Sequence, residues 1–297
     1  MCSILFTTIT SVNAQVNTKD TLKTQIILLG TGTPNPNVSA AGQGTAVIYG
    51  KRFFLFDAGP GIERSIRAAD LSVKGPEATF ITHLHSDHTL GYPDLILTSW
   101  VMQRRCPLEV FGPKGLKRMT DLLLEAYSED IHIRITGLEK ELPENLKVNV
   151  HEINPGVVYD SAGVKVTAIS VLHGNWPIAY GYRIDTPDRS IVISGDTRPC
   201  DSLVAASQNV DVLIHEVYAM AVYQPEKRPG GESWPKYLDA FHTSTIQLGQ
   251  IAAKIKPKVL VVDHILRGGV SDETLISEIR KGGYTGKVIV GKDGEVF

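Results

Sequence analysis

Thr82-His-Leu-His-Ser-Asp-His88 sets three imidazoles and a carboxylate within six residues, directly after the apolar run Ala78-Thr-Phe-Ile-Thr82. The whole chain has only nine histidines, so the density of this stretch is a signal in itself. Imidazole and carboxylate oxygen suit zinc and similar borderline metals, and an open coordination position allows hydrolysis. Side chains alternate along an extended backbone, so His83 and His85 point the same way and can grip one ion. Asp87 and His88 lie beyond the bend and can turn towards a second.

Working outward, other polar groups fall at the ends of apolar runs, as a site on one rim of a sheet requires. His173 follows a strand expected over 164–171. Asp196 follows Ser190-Ile-Val-Ile-Ser194 and a glycine. His264 follows Val259-Leu-Val-Val-Asp263. Strands are also expected at 24–30, 47–49, 52–57, 108–111, 147–153, 180–184, 211–215, 258–263 and 286–291. Helices are expected at 61–71, 91–104, from 115 to about 127, 244–255 and 271–280. Residues 219–241 read as a loop. A β-rich half followed by a second strand–helix half predicts two sheets packed face to face with helices outside.

The bulk numbers agree with an ordinary globular enzyme. The chain has 297 residues, 42% of them hydrophobic, and 30 basic against 32 acidic side chains. That balance lacks the basic field of a dedicated nucleic-acid binder. Cys2, Cys106 and Cys200 form no C-x-x-C pair, which speaks against a thiolate zinc site, and Cys106 and Cys200 read as two buried free thiols. Residues 1–14 carry no charge and end in Val12-Asn13-Ala14 before Gln15, which resembles the end of a secretory signal peptide and implies a periplasmic or secreted protein, with a cytoplasmic one as the alternative. Residues 15–24 read as a linker and 25–297 as one hydrolase domain. No run is long enough to span a membrane.

Gly30-Thr-Gly-Thr-Pro34, Phe56-Asp-Ala-Gly-Pro-Gly61, the H-x-H-x-D-H run, His173, Ser194-Gly-Asp-Thr197 and His264 occur in an order that resembles the metallo-β-lactamase superfamily. Within it, Phe111-Gly-Pro-Lys-Gly115, Tyr180-Gly-Tyr-Arg183, Leu213-Ile-His-Glu216 and His242-Thr-Ser-Thr245 resemble the ribonuclease Z branch. The resemblance spans residues 25–293 and implies an αββα sandwich. It also implies one zinc on His83, His85 and His173, a second on Asp87, His88 and His264, and Asp196 bridging them, with manganese or iron as alternative metals. A hydroxide between the ions would be the nucleophile. Asp57 would stabilise the site loop. Glu216 and His242 would form the acid pair that protonates a leaving oxygen, with Asp87 also in the catalytic set, while neighbouring His215 packs.

Departures from that branch bear on the substrate. Only 22 residues, 174–195, separate His173 from Asp196, leaving no room for the long arm that grips tRNA in bacterial ribonuclease Z. Small phosphodiesters are therefore the expected substrates and nucleic acid is not. Aryl sulfates, β-lactams or lactones, tRNA 3′ ends and a non-enzymatic metal scaffold are the alternatives. Dimers are common in the branch, so a homodimer is an expectation carried by the resemblance alone. Tyr223, Arg228, Trp234 and Tyr237, with Trp176, are candidate walls of the cleft, and Lys114 and Arg198 are candidate contacts for an anion.

Overall fold

A computed structural model of the protein describes residues 23–297. The expected signal segment and most of the expected linker lie outside them; Thr24 already belongs to the first strand. Strands β1 (Thr24–Gly30), β2 (Gly44–Tyr49), β3 (Arg52–Phe56), β4 (Ala78–Phe80), β5 (Leu108–Gly112) and β6 (Val148–Glu152) form a six-stranded sheet in chain order. Strands β7 (Gly156–Ser161), β8 (Val164–Ser170), β9 (Tyr180–Asp185), β10 (Ser190–Ile193), β11 (Val212–Tyr218), β12 (Val259–Leu266) and β13 (Lys287–Val290) form a seven-stranded sheet, also in order. Both sheets begin with antiparallel pairs and finish with parallel ones.

Among the described residues ten α-helices accompany them: α1 (Ile62–Ala68), α2 (Ser86–Thr89), α3 (Tyr92–Val101), α4 (Leu116–Ala126), α5 (Ser128–Thr136), α6 (Pro143–Leu146), α7 (Asp201–Ala206), α8 (Trp234–Phe241), α9 (Thr245–Ile255) and α10 (Asp272–Lys281). The layering follows from central strands that are buried nearly continuously, with alternate side chains directed to the two covered faces of each sheet. Phe54, Phe56 and Phe80 meet Val166, Tyr182, Ile191 and Ile214 between the sheets. Leu55, on the other face of β3, packs with Ile62, Leu95 and Leu116 from the helices over the first sheet. Leu213 and Leu260 turn outward onto Leu203, Leu248 and Leu275 over the second. Each such fully buried side chain contributes roughly 1.5–3 kcal/mol. The result is the expected helix–sheet–sheet–helix sandwich.

Several elements differ from the sequence expectation. The stretch 219–241 is not all loop, because α8 closes it. Helix α5 and strand β7 are additional; α5 has no buried residue and β7 is half-exposed, so neither carries a strong apolar period. Cys106 is exposed while Cys200 is buried, and both are free. Among the described residues no helix is long and apolar enough to cross a membrane.

Candidate metal centre and its acid pair

The site lies where the carboxyl ends of β4, β8, β10, β11 and β12 meet, the usual place for a crevice in a layered α/β fold. β4 delivers Ile81 and Thr82, then an extended turn carries His83 and His85 before α2 begins at Ser86. His173 stands three residues beyond β8. Asp196 follows β10 through Gly195, whose φ is +58°; a Cβ there would sit 2.4 Å from the Tyr180 carbonyl oxygen, so only glycine fits. His264 is inside β12 rather than beyond it. The β11–β12 register skips from Glu216↔Asp263 to Val217↔Ile265, leaving His264 unpaired in a bulge with φ +43°. Bulges of this kind re-aim a side chain.

All seven expected residues gather in two groups, and in each the donor atoms lie within 4.8 Å of one another. One is His83, His85, His173 and Asp196; the other is Asp87, His88 and His264. Asp196 faces both. Its Oδ2 is 4.0 Å from His83 Nε2 and 3.9 Å from His173 Nε2, while its Oδ1 is 3.4 Å from His88 Nε2 and 3.4 Å from His264 Nδ1. His264 Nε2 meets Asp87 Oδ2 at 3.0 Å.

Three tests on these atoms fit a cation. His88 Nε2, Asp196 Oδ1 and His264 Nδ1 are buried without a hydrogen-bond partner, and each of the two nitrogens lies 3.4 Å from that oxygen. Unpaired buried polar atoms are costly unless something charged binds them. Second, burial holds His83 and His85 below the ordinary imidazole range and brings His173 down to about 4, so all three present neutral lone pairs. Third, burial would lower His88 and His264 too, yet the carboxylates win. Asp196 and Asp57 lift His88 well up, and Asp196 and Asp87 lift His264 to about 9. This half of the site calls for positive charge.

The surrounding shell holds these rings in place. Asp57, at φ +60° after β3, accepts from the Thr82 backbone N–H at 2.8 Å and from its hydroxyl, and its Oδ2 pairs with His88 Nδ1 at 2.9 Å. His173 Nδ1 lies 2.8 Å from the Phe241 carbonyl oxygen, and being a donor there leaves Nε2 as the lone pair, turned towards His85 Nδ1 at 3.1 Å. The Trp176 indole N–H reaches His85 Nε2 at 2.7 Å, so Trp176 touches the site directly.

Glu216, in β11, ties two loops together. Its Oε1 accepts from the backbone N–H groups of Thr197 and Thr243, each at 3.1 Å. Its Oε2 faces His242 Nδ1 at 3.4 Å. His242 ends α8, and Ser244 two residues on caps α9 through a reciprocal box with Gln247. His215 is buried with Nδ1 on the Glu216 carbonyl, as a packing residue would be.

A cleft of about 300 Å³ opens over this centre, lined by Asp87, Asp196, His242, His264 and, on its outer wall, Arg228, Trp234 and Tyr237. Tyr223 turns away to stack on Tyr218 and bond Asp239. Lys114 and Arg198 are exposed and do not line it. Pro34 and Asn35 do, a wall that the Gly–Pro loop signal marked as a loop but not as part of the site.

The family model of the β-lactamase superfamily domain matches residues 52–265. The chain belongs to the metallo-β-lactamase superfamily. A curated relative is the ribonuclease Z of Mycobacterium bovis (strain BCG / Pasteur 1173P2), 31% identical over 275 residues, covering 91% of this chain and 96% of that one. Among solved structures, the metallo-β-lactamase fold protein YhfI from Bacillus subtilis superposes with a TM-score of 0.71 at 18% identity, covering 92% of this chain and 98% of that one. Human tRNase Z, short form, does so with a TM-score of 0.67 at 21% identity, again over 92% and 98%. At those identities the structural likeness is one of fold. Membership in this superfamily makes the protein a metallo-β-lactamase-fold hydrolase.

Proposed function

We propose that this hydrolase cleaves small phosphodiesters with two divalent cations, zinc in the first instance, held by His83, His85 and His173 on one side and by Asp87, His88 and His264 on the other, with Asp196 between them. The observation that carries the reading is the Glu216–His242 pair at the edge of the cleft, on the same wall as the candidate metal groups. Ester cleavage that expels a poor alkoxide needs a positioned acid, worth about 10²–10⁴-fold. Hydrolysis of an activated carbonyl needs none.

The chemistry a cation pair supplies when bound is charge neutralisation at the phosphoryl oxygens and a water acidified to a pKa of about 7. The chain's own residues supply the rest. His173 and His88 are oriented by the Phe241 carbonyl and Asp57. As hydroxide attacks phosphorus and the bond to the leaving oxygen breaks, His242 gives that oxygen its Nε2 proton. Glu216 keeps Nδ1 of His242 facing a negative charge, which stabilises the imidazolium before transfer.

RNA is the second reading. The ribonuclease Z relative aligns along nearly its whole length with this chain, so the missing arm between His173 and Asp196 does not set the two apart. The test is an assay of zinc-loaded protein on bis(p-nitrophenyl) phosphate, p-nitrophenyl sulfate, nitrocefin and a tRNA precursor, wild type beside His242→Ala. Turnover of an alkyl phosphodiester, assayed beside these, that is lost in His242→Ala with metal retained supports the proposal. Turnover of nitrocefin alone, indifferent to His242, overturns it. Cleavage of the precursor in preference to the small diester establishes the second reading.

A further inference from the structure

Tyr237 has no part in the steps above, yet its setting is unusual. Residues 234, 237 and 241 share one face of α8, and their rings form a column. Trp234 and Tyr237 stack at 4.7 Å with planes 12° apart; Tyr237 and Phe241 stack at 4.5 Å with planes 21° apart. The outer end is covered by the Arg228 guanidinium, 5.0 Å over Trp234 and itself paired with Glu226. The inner end meets His173 edge-on at 5.0 Å. A phenol clamped between two rings has little freedom left, so its hydroxyl is held in place. That hydroxyl is 3.4 Å from His242 Nε2, longer than a well-formed bond, and so it is not committed to the imidazole. It belongs to the wall shared with Asp87, Asp196 and His264. Burial, together with Asp196, Asp87 and Glu216, pushes its pKa up to about 12, so it keeps its proton.

We propose that the Tyr237 hydroxyl is a second hydrogen-bond donor to the substrate's phosphoryl group, serving the non-bridging oxygen beside the leaving oxygen that His242 protonates. The assignment rests on the phosphodiester reading. When the bond from phosphorus to the leaving oxygen breaks, that oxygen takes the His242 proton and Tyr237 keeps its own. Its contribution is a fixed donor aimed at the oxygen where charge accumulates, which costs no reorganisation during the step.

The experiment uses zinc-loaded protein and Tyr237→Phe, which preserves the ring column. Inorganic phosphate binding is measured by calorimetry, and turnover of an alkyl phosphodiester is measured beside it. Phosphate affinity is expected to fall on the order of tenfold, the loss of one hydrogen bond to a charged group, with zinc content and thermal midpoint unchanged. Diester kcat is expected to fall by at least as much. Unchanged phosphate binding overturns the assignment whatever the turnover, and loss of zinc overturns it by making Tyr237 part of the scaffold. A wild type that binds phosphate more tightly than Tyr237→Phe yet cleaves no diester would sink the phosphodiester reading and leave this donor standing. A wild type that binds no phosphate overturns both.

Discussion

Glu216 Oε2 and His242 Nδ1 face each other at 3.4 Å, and neither atom has a hydrogen-bond partner elsewhere. Both side chains are buried, and while the Thr197 and Thr243 amides serve Oε1, Oε2 has only this imidazole before it.

Glu216→Gln keeps an oxygen for the Thr197 and Thr243 amides but removes the negative charge and can present an N–H to Nδ1. Alkyl diester turnover is expected to fall on the order of tenfold or more, and in His242→Ala by about 10²–10⁴-fold. Metal analysis of both variants should match wild type. Steady-state kinetics with p-nitrophenyl and alkyl esters provide the check, since the smaller defect belongs on the better leaving group. An equal defect on both would remove the general-acid role.

Asp196 faces both candidate metal groups, through Oδ2 on one side and Oδ1 on the other. Asp196→Asn should reduce bound zinc from two ions per chain to one or none. Metal analysis after dialysis against a zinc buffer gives the count, and two ions retained by the variant would contradict the bridging role.

Asp57 touches no proposed ion but restrains His88 and Thr82. Such outer partners typically tune metal affinity by about 10–100-fold. Asp57→Asn is therefore expected to weaken zinc binding by that factor in a chelator competition, with the fold intact by circular dichroism. An affinity equal to wild type would reduce Asp57 to a loop brace.

Glu63, in α1, is buried with both carboxylate oxygens unpartnered. Burial first, then Asp94, raises its pKa from 4.5 to about 8, against a smaller opposing pull from Arg104. A raised pKa means that the folded state holds the extra proton. Stability is then fully present below pH 4.5 and drains away as pH rises towards 8. Glu63→Gln should flatten that slope and add on the order of 2 kcal/mol above pH 8. Urea unfolding at a series of pH values measures it; parallel wild-type and variant curves would refute the assignment.

The strand-end logic read from residue order located six of the seven candidate ligands where the backbone has them, because apolar strands and glycine turns are local signals. His264 was the exception in detail. A bulge depends on the register with a neighbouring strand, which no single segment encodes. Helix α8 was hidden for a related reason. It begins at Trp234-Pro-Lys-Tyr237 after the Gly230–Gly231 break, and its aromatic face packs as a stacked column rather than as an aliphatic stripe. The resemblance of His242-Thr-Ser-Thr245 marked the acid pair, but the strap from Glu216 to the Thr197 and Thr243 amides is a tertiary feature.

Each candidate metal group draws members from both sheets. His83 and His85 hang from the first while His173 and Asp196 come from the second; Asp87 and His88 likewise face His264 across the divide. A cation bound there would be a clasp between halves that otherwise meet through apolar packing and a few hydrogen bonds, such as those from the Tyr182 hydroxyl to the Ile81 carbonyl and from Gln43 Nε2 to Asp263 Oδ2. The unfolded chain can offer the H-x-H-x-D-H run but not its counterparts, so binding free energy becomes folding free energy. A chelator would then behave as a denaturant of the sandwich, and the supply of cation around the protein would set how much of it is assembled.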